Sequence, residues 1–239
     1  VYEKSDRIGG SINLADKAPG KFRMDILLDY WKRQLEKNDK ITVKLSTEIT
    51  DEKLAEIKRT LDPKVVCLNV GGKPVVPNMP GLENAVTAHD VLSGRVSVEG
   101  KRVVIIGGGM TALETAEFMA ERKNTIVLCE MMPQFAADTF IYRVVKTQLG
   151  LARQGVAMKP HTMVLGANAD GVMYKDLVTG LEGVLPAEVI VLSLGVCPDR
   201  ALRAKLEGMF ENVVVLGDSN RTGTLQNATG ETFHRLKRI

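Results

Sequence analysis

The stretch from Lys101 to Glu130 constrains the fold more than any other part of the chain. Val103, Val104, Ile105 and Ile106 are four β-branched apolar residues in a row. An unbroken run of this kind fits a strand buried on both faces. Gly107-Gly108-Gly109-Met110-Thr111-Ala112 follows directly, and helical spacing of apolar residues then continues to about Arg122. A second buried strand, Thr125–Cys129, ends on Glu130. Strands alternating with helices in this way indicate a mostly parallel sheet.

The glycine turn carries chemistry as well as shape. Gly107 permits a tight turn off the strand. Gly109 has no side chain, so a diphosphate can approach the backbone. Ala112 is small enough for the helix to pack against the sheet. Met110 and Thr111 open that helix, whose free N–H groups and partial positive charge favour phosphate. Glu130 follows Gly107 by 23 positions, close to the roughly 20 expected of a ribose-reading acid. A carboxylate there accepts ribose hydroxyls and repels a 2′-phosphate. Met131 and Met132 come next, with no arginine to receive such a phosphate, so NAD(H) is favoured over NADP(H). The alternative is a glycine-rich turn in an unrelated α/β fold; the strand–turn–helix–strand–acid context favours the dinucleotide site.

The flanks extend the same pattern. Helical spacing runs over 22–37, through Phe22, Ile26, Leu27, Tyr30, Trp31 and Leu35. A short strand is expected at Ile41–Leu45, and a helix at Asp51–Arg59 capped by Thr50 or Asp51. Val65–Leu68 reads as a strand buried on both faces, stopped by Gly71-Gly72-Lys73-Pro74. Pro77, Pro80 and Gly81 mark an extended linker. Beyond Glu130, Tyr142–Gln154 reads as helix. Val156–Val184 reads as a small antiparallel excursion broken by glycines, and Val189–Leu194 and Val213–Leu216 as core strands. The whole is an α/β fold with a mostly parallel sheet.

Bulk properties exclude several classes. The formal net charge of +3 is dispersed and gives no argument for nucleic acid. The one dense basic run, His234 to Arg238, reads as the solvated end of a helix. The longest apolar stretch, Val189–Cys197, is far below the roughly 20 residues needed to cross a bilayer, so no membrane partner is expected. The opening Val1-Tyr2-Glu3 does not read as a secretory leader. Cys67, Cys129 and Cys197 lack the C-x-x-C spacing of a redox pair or zinc site. They read as reduced core thiols of a cytoplasmic protein. His89, His161 and His234 are isolated and read as surface or capping residues.

Outside the glycine turn, the opening Val1-Tyr2-Glu3-Lys4 looks like the end of a second strand of another such unit, with Glu3 as its acid. Gly217-Asp218 is either an ordinary turn or a strand terminus suited to a flavin. With these motifs in hand, the chain resembles a known group. Val1–Asn13, Gly71–Gly81, Lys101–Glu130, Leu194–Asp199 and Val214–Asp218 occur in the order seen in flavoprotein reductases with two dinucleotide sites. The resemblance is greatest to the C-terminal FAD/NAD region of NADH:flavin oxidoreductases of the old yellow enzyme and 2,4-dienoyl-CoA reductase type. These fall in the pyridine nucleotide-disulfide oxidoreductase-like superfamily.

That resemblance implies a Rossmann-like NAD domain at 84–212, inserted into a partial FAD-binding domain formed by 1–83 and 213–239. It also implies an upstream FMN barrel and iron–sulfur cluster as partners in the same protein. Glu3 matches the acid on the FAD ribose, and Lys4, Arg7 and Gly10 match the loop along FAD. Gly107, Gly109, Ala112 and Glu130 match the NAD fingerprint. Gly195 matches a glycine on the nicotinamide side. Gly217 and Asp218 match the FAD-contacting terminus. Two departures weigh against FAD binding by this chain. Asn69-Val70-Gly71 stands where the family usually has Ala-Thr-Gly, so Val70 brings no hydroxyl. The first FAD glycine motif has no counterpart here.

No nucleophile–base pair is evident, and no catalytic residue is assigned. Ser11–Ala15 lacks the cysteines of the disulfide reductases. Glu114 and Glu117 follow the glycine turn; Glu114 either approaches the nicotinamide or lies on a solvated helix face. Two functions follow. One is the dinucleotide-binding portion of an NADH-dependent flavin oxidoreductase. The other is an NAD-binding module without catalysis.

Overall fold

A computed structural model describes residues 1–21 and 23–237. Phe22, the first apolar position of the expected 22–37 helix, and Arg238 of the basic tail lie outside the described residues. In chain order the helices are α1 (Ile12–Ala15), α2 (Met24–Glu36), α3 (Asp51–Thr60), α4 (Ala88–Leu92), α5 (Met110–Ala120), α6 (Ile141–Arg153), α7 (Arg200–Met209) and α8 (Leu225–Leu236). The strands are β1 (Val66–Leu68), β2 (Gly72–Pro74), β3 (Val86–Thr87), β4 (Arg102–Ile106), β5 (Thr125–Cys129) and β6 (Ala157–Lys159). They continue with β7 (Thr162–Asn168), β8 (Gly171–Asp176), β9 (Glu182–Pro186), β10 (Val189–Leu192), β11 (Val196–Pro198) and β12 (Val213–Val215). None of the described helices is long and apolar enough to cross a membrane.

The chain divides into two compact units: 1–13, 23–73 and 196–239 form one, and 14–22 with 74–195 form the other. These compact units divide earlier in the chain than 83/84 and 212/213, the limits expected for the nucleotide-binding domains. Packing explains both shifts. Met79 and Leu82 join the core around Val104, Ile106 and Leu192. Leu202, Leu206 and Met209 of α7 join the other core, around Leu54, Leu68 and Val215.

The second unit is built on a five-stranded parallel sheet in the order β3-β10-β4-β5-β6. Its β4 and β5 match the expected strands, and Val103, Val104 and Ile105 are fully buried. Burying each such side chain contributes roughly 1.5–3 kcal/mol, which outweighs any local propensity. On one face Val103 and Ile105 pack with Ala112, Leu113, Ala116 and Met119 of α5 and with Val144 and Leu151 of α6. On the other, Val104 and Ile106 pack with Ala167 and Val172 of the antiparallel sheet β7-β8-β9. That sheet is most of the excursion expected at Val156–Val184, but Ala157–Lys159 instead joins the parallel sheet as β6 beside β5, and the antiparallel part runs on to Pro186. Its close approach to the linker needs bare glycines: a Cβ on Gly81 would lie 1.9 Å from the Ala167 carbonyl oxygen.

In the first unit β1 pairs with β12 in parallel. The expected strand at Ile41–Leu45 is reduced to one parallel bridge between Tyr2 and Lys44, flanked by Glu3 N–Lys44 O (2.9 Å) and Lys44 N–Val1 O (2.8 Å). Helix α3 is capped as expected, with Thr50 Oγ1 accepting from Lys53 N. Helix α2 has the expected apolar periodicity but no buried residue. The expectation that β1 is buried on both faces fails at Cys67, which is exposed. Cys197 is exposed too, and only Cys129 is a core thiol. Alternation in these short strands puts both outward. Burial pushes the Cys129 thiol up to about 12.

Candidate functional site

The C-terminal edge of the parallel sheet gathers most residues singled out in the second unit. Where β4 ends, Gly107 adopts φ +113°, a backbone conformation suited to glycine. A Cβ there would meet the Ser193 carbonyl oxygen at 2.3 Å. Ser193 itself donates its amide to Ile106 O at 2.8 Å, so β10 holds the turn from one side. From the other, Gly107 N donates to Cys129 O at 2.9 Å. Ala136 N donates to Gly108 O at 2.7 Å, closing the 131–139 segment over the turn. Gly195 lies three residues beyond the end of β10, exposed and at φ +81°.

Gly109 differs from its two neighbours. Its φ is −67°, it is exposed, and a Cβ would meet nothing within 4 Å. It is the N-cap of α5, which has no side-chain cap and no acid in its first turn. The amides of Met110 and Thr111 have no hydrogen-bond acceptor among the described residues, and the first turn of α5 carries no acid. Ala112 is buried against the sheet. The missing cap is what a phosphate supplies.

Glu130 stands beside this turn. Its Oε1 accepts from Met132 N at 2.7 Å. Its Oε2 has no hydrogen bond among the described residues, and the side chain lies so close to Gly108 that a Cβ there would be 2.5 Å from Oε2. Glu130 N donates to Lys159 O and its own carbonyl accepts from Thr162 N. The backbone is therefore fixed on both sides and one carboxylate oxygen remains to accept a hydroxyl. Together the open Gly109 cradle, the uncapped helix start and the available carboxylate oxygen fit the phosphate and ribose of a dinucleotide.

Glu114, one turn into α5, is not on a solvated face: its side chain is 6% exposed. Lys21 Nζ approaches its Oε1 at 2.6 Å and Oε2 at 2.7 Å, and Arg143 Nη2 donates to Oε1 at 2.6 Å. Neither cation was legible beforehand, since each lies at least 29 positions from Glu114. Glu117 is held above the usual carboxylate range, first by burial and then by the Glu114 carboxylate. Among the histidines, His234 is exposed. His161 occupies a φ +52° turn. His89 is half-buried, and that burial holds its pKa down.

In the first unit the expected residues fall into two groups with no hydrogen bond joining them among the described residues. Glu3 accepts from Ser5 N (2.8 Å) and Ser5 Oγ (2.6 Å). Lys4, Arg7 and Gly10 are exposed, and Gly10 has φ +50°. At the other group, Gly217 is buried at φ +53°, and Asp218 accepts from Gly223 N at 3.0 Å. Ser219 is a residue the sequence reading missed. Its buried hydroxyl accepts from Val70 N at 2.8 Å and contacts Gly71 O at 3.2 Å. It supplies a hydroxyl to the segment where Val70 lacks one. Its only sequence signal was adjacency to Gly217-Asp218.

Residues 23–226 match the family described as pyridine nucleotide-disulphide oxidoreductase. An NADH oxidase from Thermoanaerobacter brockii is 30% identical over 98% of the chain and 36% of its own length. A bilirubin reductase from Mediterraneibacter gnavus is 27% identical over 98% of the chain and likewise 36% of its own length. Among solved structures, a 2-naphthoyl-CoA reductase complex superposes with a TM-score of 0.90 at 27% identity, covering the whole chain and 36% of that protein. Histamine dehydrogenase from Rhizobium sp. 4-9 shares the fold at a TM-score of 0.82 and 15% identity. The chain thus spans about a third of the length of these relatives. By sequence match and by its Rossmann-like α/β fold, the chain belongs to the pyridine nucleotide-disulphide oxidoreductase family.

Proposed function

We propose that this chain is the dinucleotide-binding portion of an NADH-dependent flavin oxidoreductase of the old yellow enzyme and 2,4-dienoyl-CoA reductase type. The carrying observation is the site at the end of β4: an uncapped helix start behind an open Gly109, with the Glu130 carboxylate alongside. In this reading Gly107 shapes the turn, while Gly109, Met110 and Thr111 take the pyrophosphate. Glu130 accepts the ribose hydroxyls and so favours NAD(H) over NADP(H). Gly195 borders the nicotinamide half. Glu3, Lys4, Arg7, Gly10, Gly217 and Asp218 serve FAD in the same protein. The bound cofactors supply hydride and electron transfer, and the protein supplies binding and orientation.

Support comes from relatives named NADH oxidase and 2-naphthoyl-CoA reductase, each about three times as long as the chain by the shares covered. Their extra length leaves room for an FMN barrel and an iron–sulfur domain as partners. Three free cysteines fit a cytoplasmic location. A second reading, an NAD-binding module without catalysis, is favoured by Val70 standing where the family usually places a threonine.

Calorimetric titration of the 239-residue chain with NADH and NADPH tests the nucleotide site. Tighter NADH binding is expected, and equal or absent binding refutes the assignment. A visible flavin spectrum in the purified chain separates the two readings: near-stoichiometric flavin eliminates the non-catalytic module.

A further inference from the structure

We infer that Met131 and Met132 form an oxidisable rim of the nucleotide site, so that converting their thioethers to sulfoxides weakens NADH binding. The inference rests on the reading of Glu130 and the glycine turn given above. These two residues follow Glu130 directly. Of the ten methionines in the chain they are the only two that stand exposed, at 53% and 55%. Met119 is fully buried and the other seven are partly covered.

Their backbone is held in place. Met132 N donates to Glu130 Oε1 at 2.7 Å, and the Met132 carbonyl accepts from His161 N at 3.2 Å. The amide that orients the carboxylate therefore belongs to one of the two methionines. A base attached to a ribose held by Glu130 arrives next to this pair. Thioethers are soft and polarizable, and they make favourable contacts with aromatic rings. An exposed adjacent pair at this point is a ready platform for the purine.

Exposure also makes the pair the most accessible thioethers to hydrogen peroxide. In that reaction one peroxide oxygen is transferred to each sulfur: the O–O bond breaks, an S=O bond forms and water leaves. Sulfur is oxidised by two electrons and the peroxide is reduced. The product side chain is polar and chiral and no longer packs as an apolar surface. Losing two sulfur–aromatic contacts raises the NADH Kd roughly tenfold.

The test treats the full chain, with thiols blocked by alkylation, with graded hydrogen peroxide. Peptide mass spectrometry then locates the added oxygen, and calorimetry measures the NADH Kd on the same samples. Oxygen is expected on Met131 and Met132 before the other eight methionines, with Kd rising in step and recovering after methionine sulfoxide reductase. In the Met131→Leu/Met132→Leu variant the ratio of treated to untreated Kd is expected to fall to one. Oxidation elsewhere first, or unchanged Kd with both residues oxidised, overturns the inference and leaves the nucleotide site standing. Absence of NADH binding before treatment refutes the nucleotide site and the inference together.

Discussion

Gly107 and Gly109 sit two residues apart in one turn, yet their substitution should fail in opposite ways. At Gly107 the φ of +113° and the 2.3 Å approach of a Cβ to the Ser193 carbonyl oxygen act together. Holding a non-glycine residue in a sparsely populated backbone region costs about 1–3 kcal/mol. Forcing extra volume into packed backbone costs about 1–3 kcal/mol more. Gly107→Ala should therefore lose about 2–6 kcal/mol, or roughly 5–20 °C in Tm for a chain of this size. At Gly109 the φ of −67° suits any residue and a Cβ meets nothing. Gly109→Val should cost about 1 kcal/mol through the poorer N-cap, while its side chain fills the phosphate approach. Losing two charge-assisted hydrogen bonds of about 1.5–3 kcal/mol each weakens NADH more than about 100-fold. Differential scanning calorimetry and NADH titration on both variants separate the effects. An unchanged Tm for Gly107→Ala refutes the steric argument, and an unchanged Kd for Gly109→Val refutes the phosphate site.

Glu130→Ala should lower the ratio of NADH to NADPH affinity, because repulsion of a 2′-phosphate disappears; a constant ratio in paired titrations removes Glu130 from the ribose role. Glu114→Ala leaves Lys21 without a partner at 18% exposure and Arg143 at 44%. Breaking such a pair costs about 3–5 kcal/mol when buried, and discounting for the exposed Arg143 leaves about 2–3 kcal/mol, measurable by urea unfolding. Glu117 is held above its usual pKa by burial and by Glu114. Its stabilising contribution is therefore complete below about pH 4 and is lost as pH rises through the raised folded value. Glu117→Gln should raise Tm at neutral pH, with the difference closing toward about pH 4; a pH-independent difference contradicts the shift. Iodoacetamide should label Cys67 and Cys197 in the folded chain and reach Cys129, buried with its thiol pushed up to about 12, only after unfolding.

Much of the second unit was legible because its rules act over short stretches. Four β-branched residues, a glycine turn and an acid 23 positions after Gly107 fall within thirty residues, and β4, α5 and β5 appear where that spacing puts them. Thr50 announces α3 in the same local way. The first unit was read less well. Ile41–Leu45 alternates like a strand yet makes one bridge, since a strand needs a partner and alternation names none. The runs around Cys67 and Cys197 are apolar, but which face of a three-residue strand is covered depends on what lies over it. The limits of the two compact units were hidden for the same reason, as Leu82 and Leu206 join cores distant in sequence.

The glycine turn, its strand–helix–strand setting and the acid at Glu130 were determined by the sequence alone, because backbone sterics and helix periodicity are local. Only the tertiary structure decided that Glu114 is buried between Lys21 and Arg143, that Ser219 brings a hydroxyl to Val70, and that one Glu130 oxygen has no hydrogen bond among the described residues. Each depends on partners brought together by chain closure over distances at which no sequence periodicity survives, except Glu130, whose orientation is set by its own turn and by the packing of Gly108 against it.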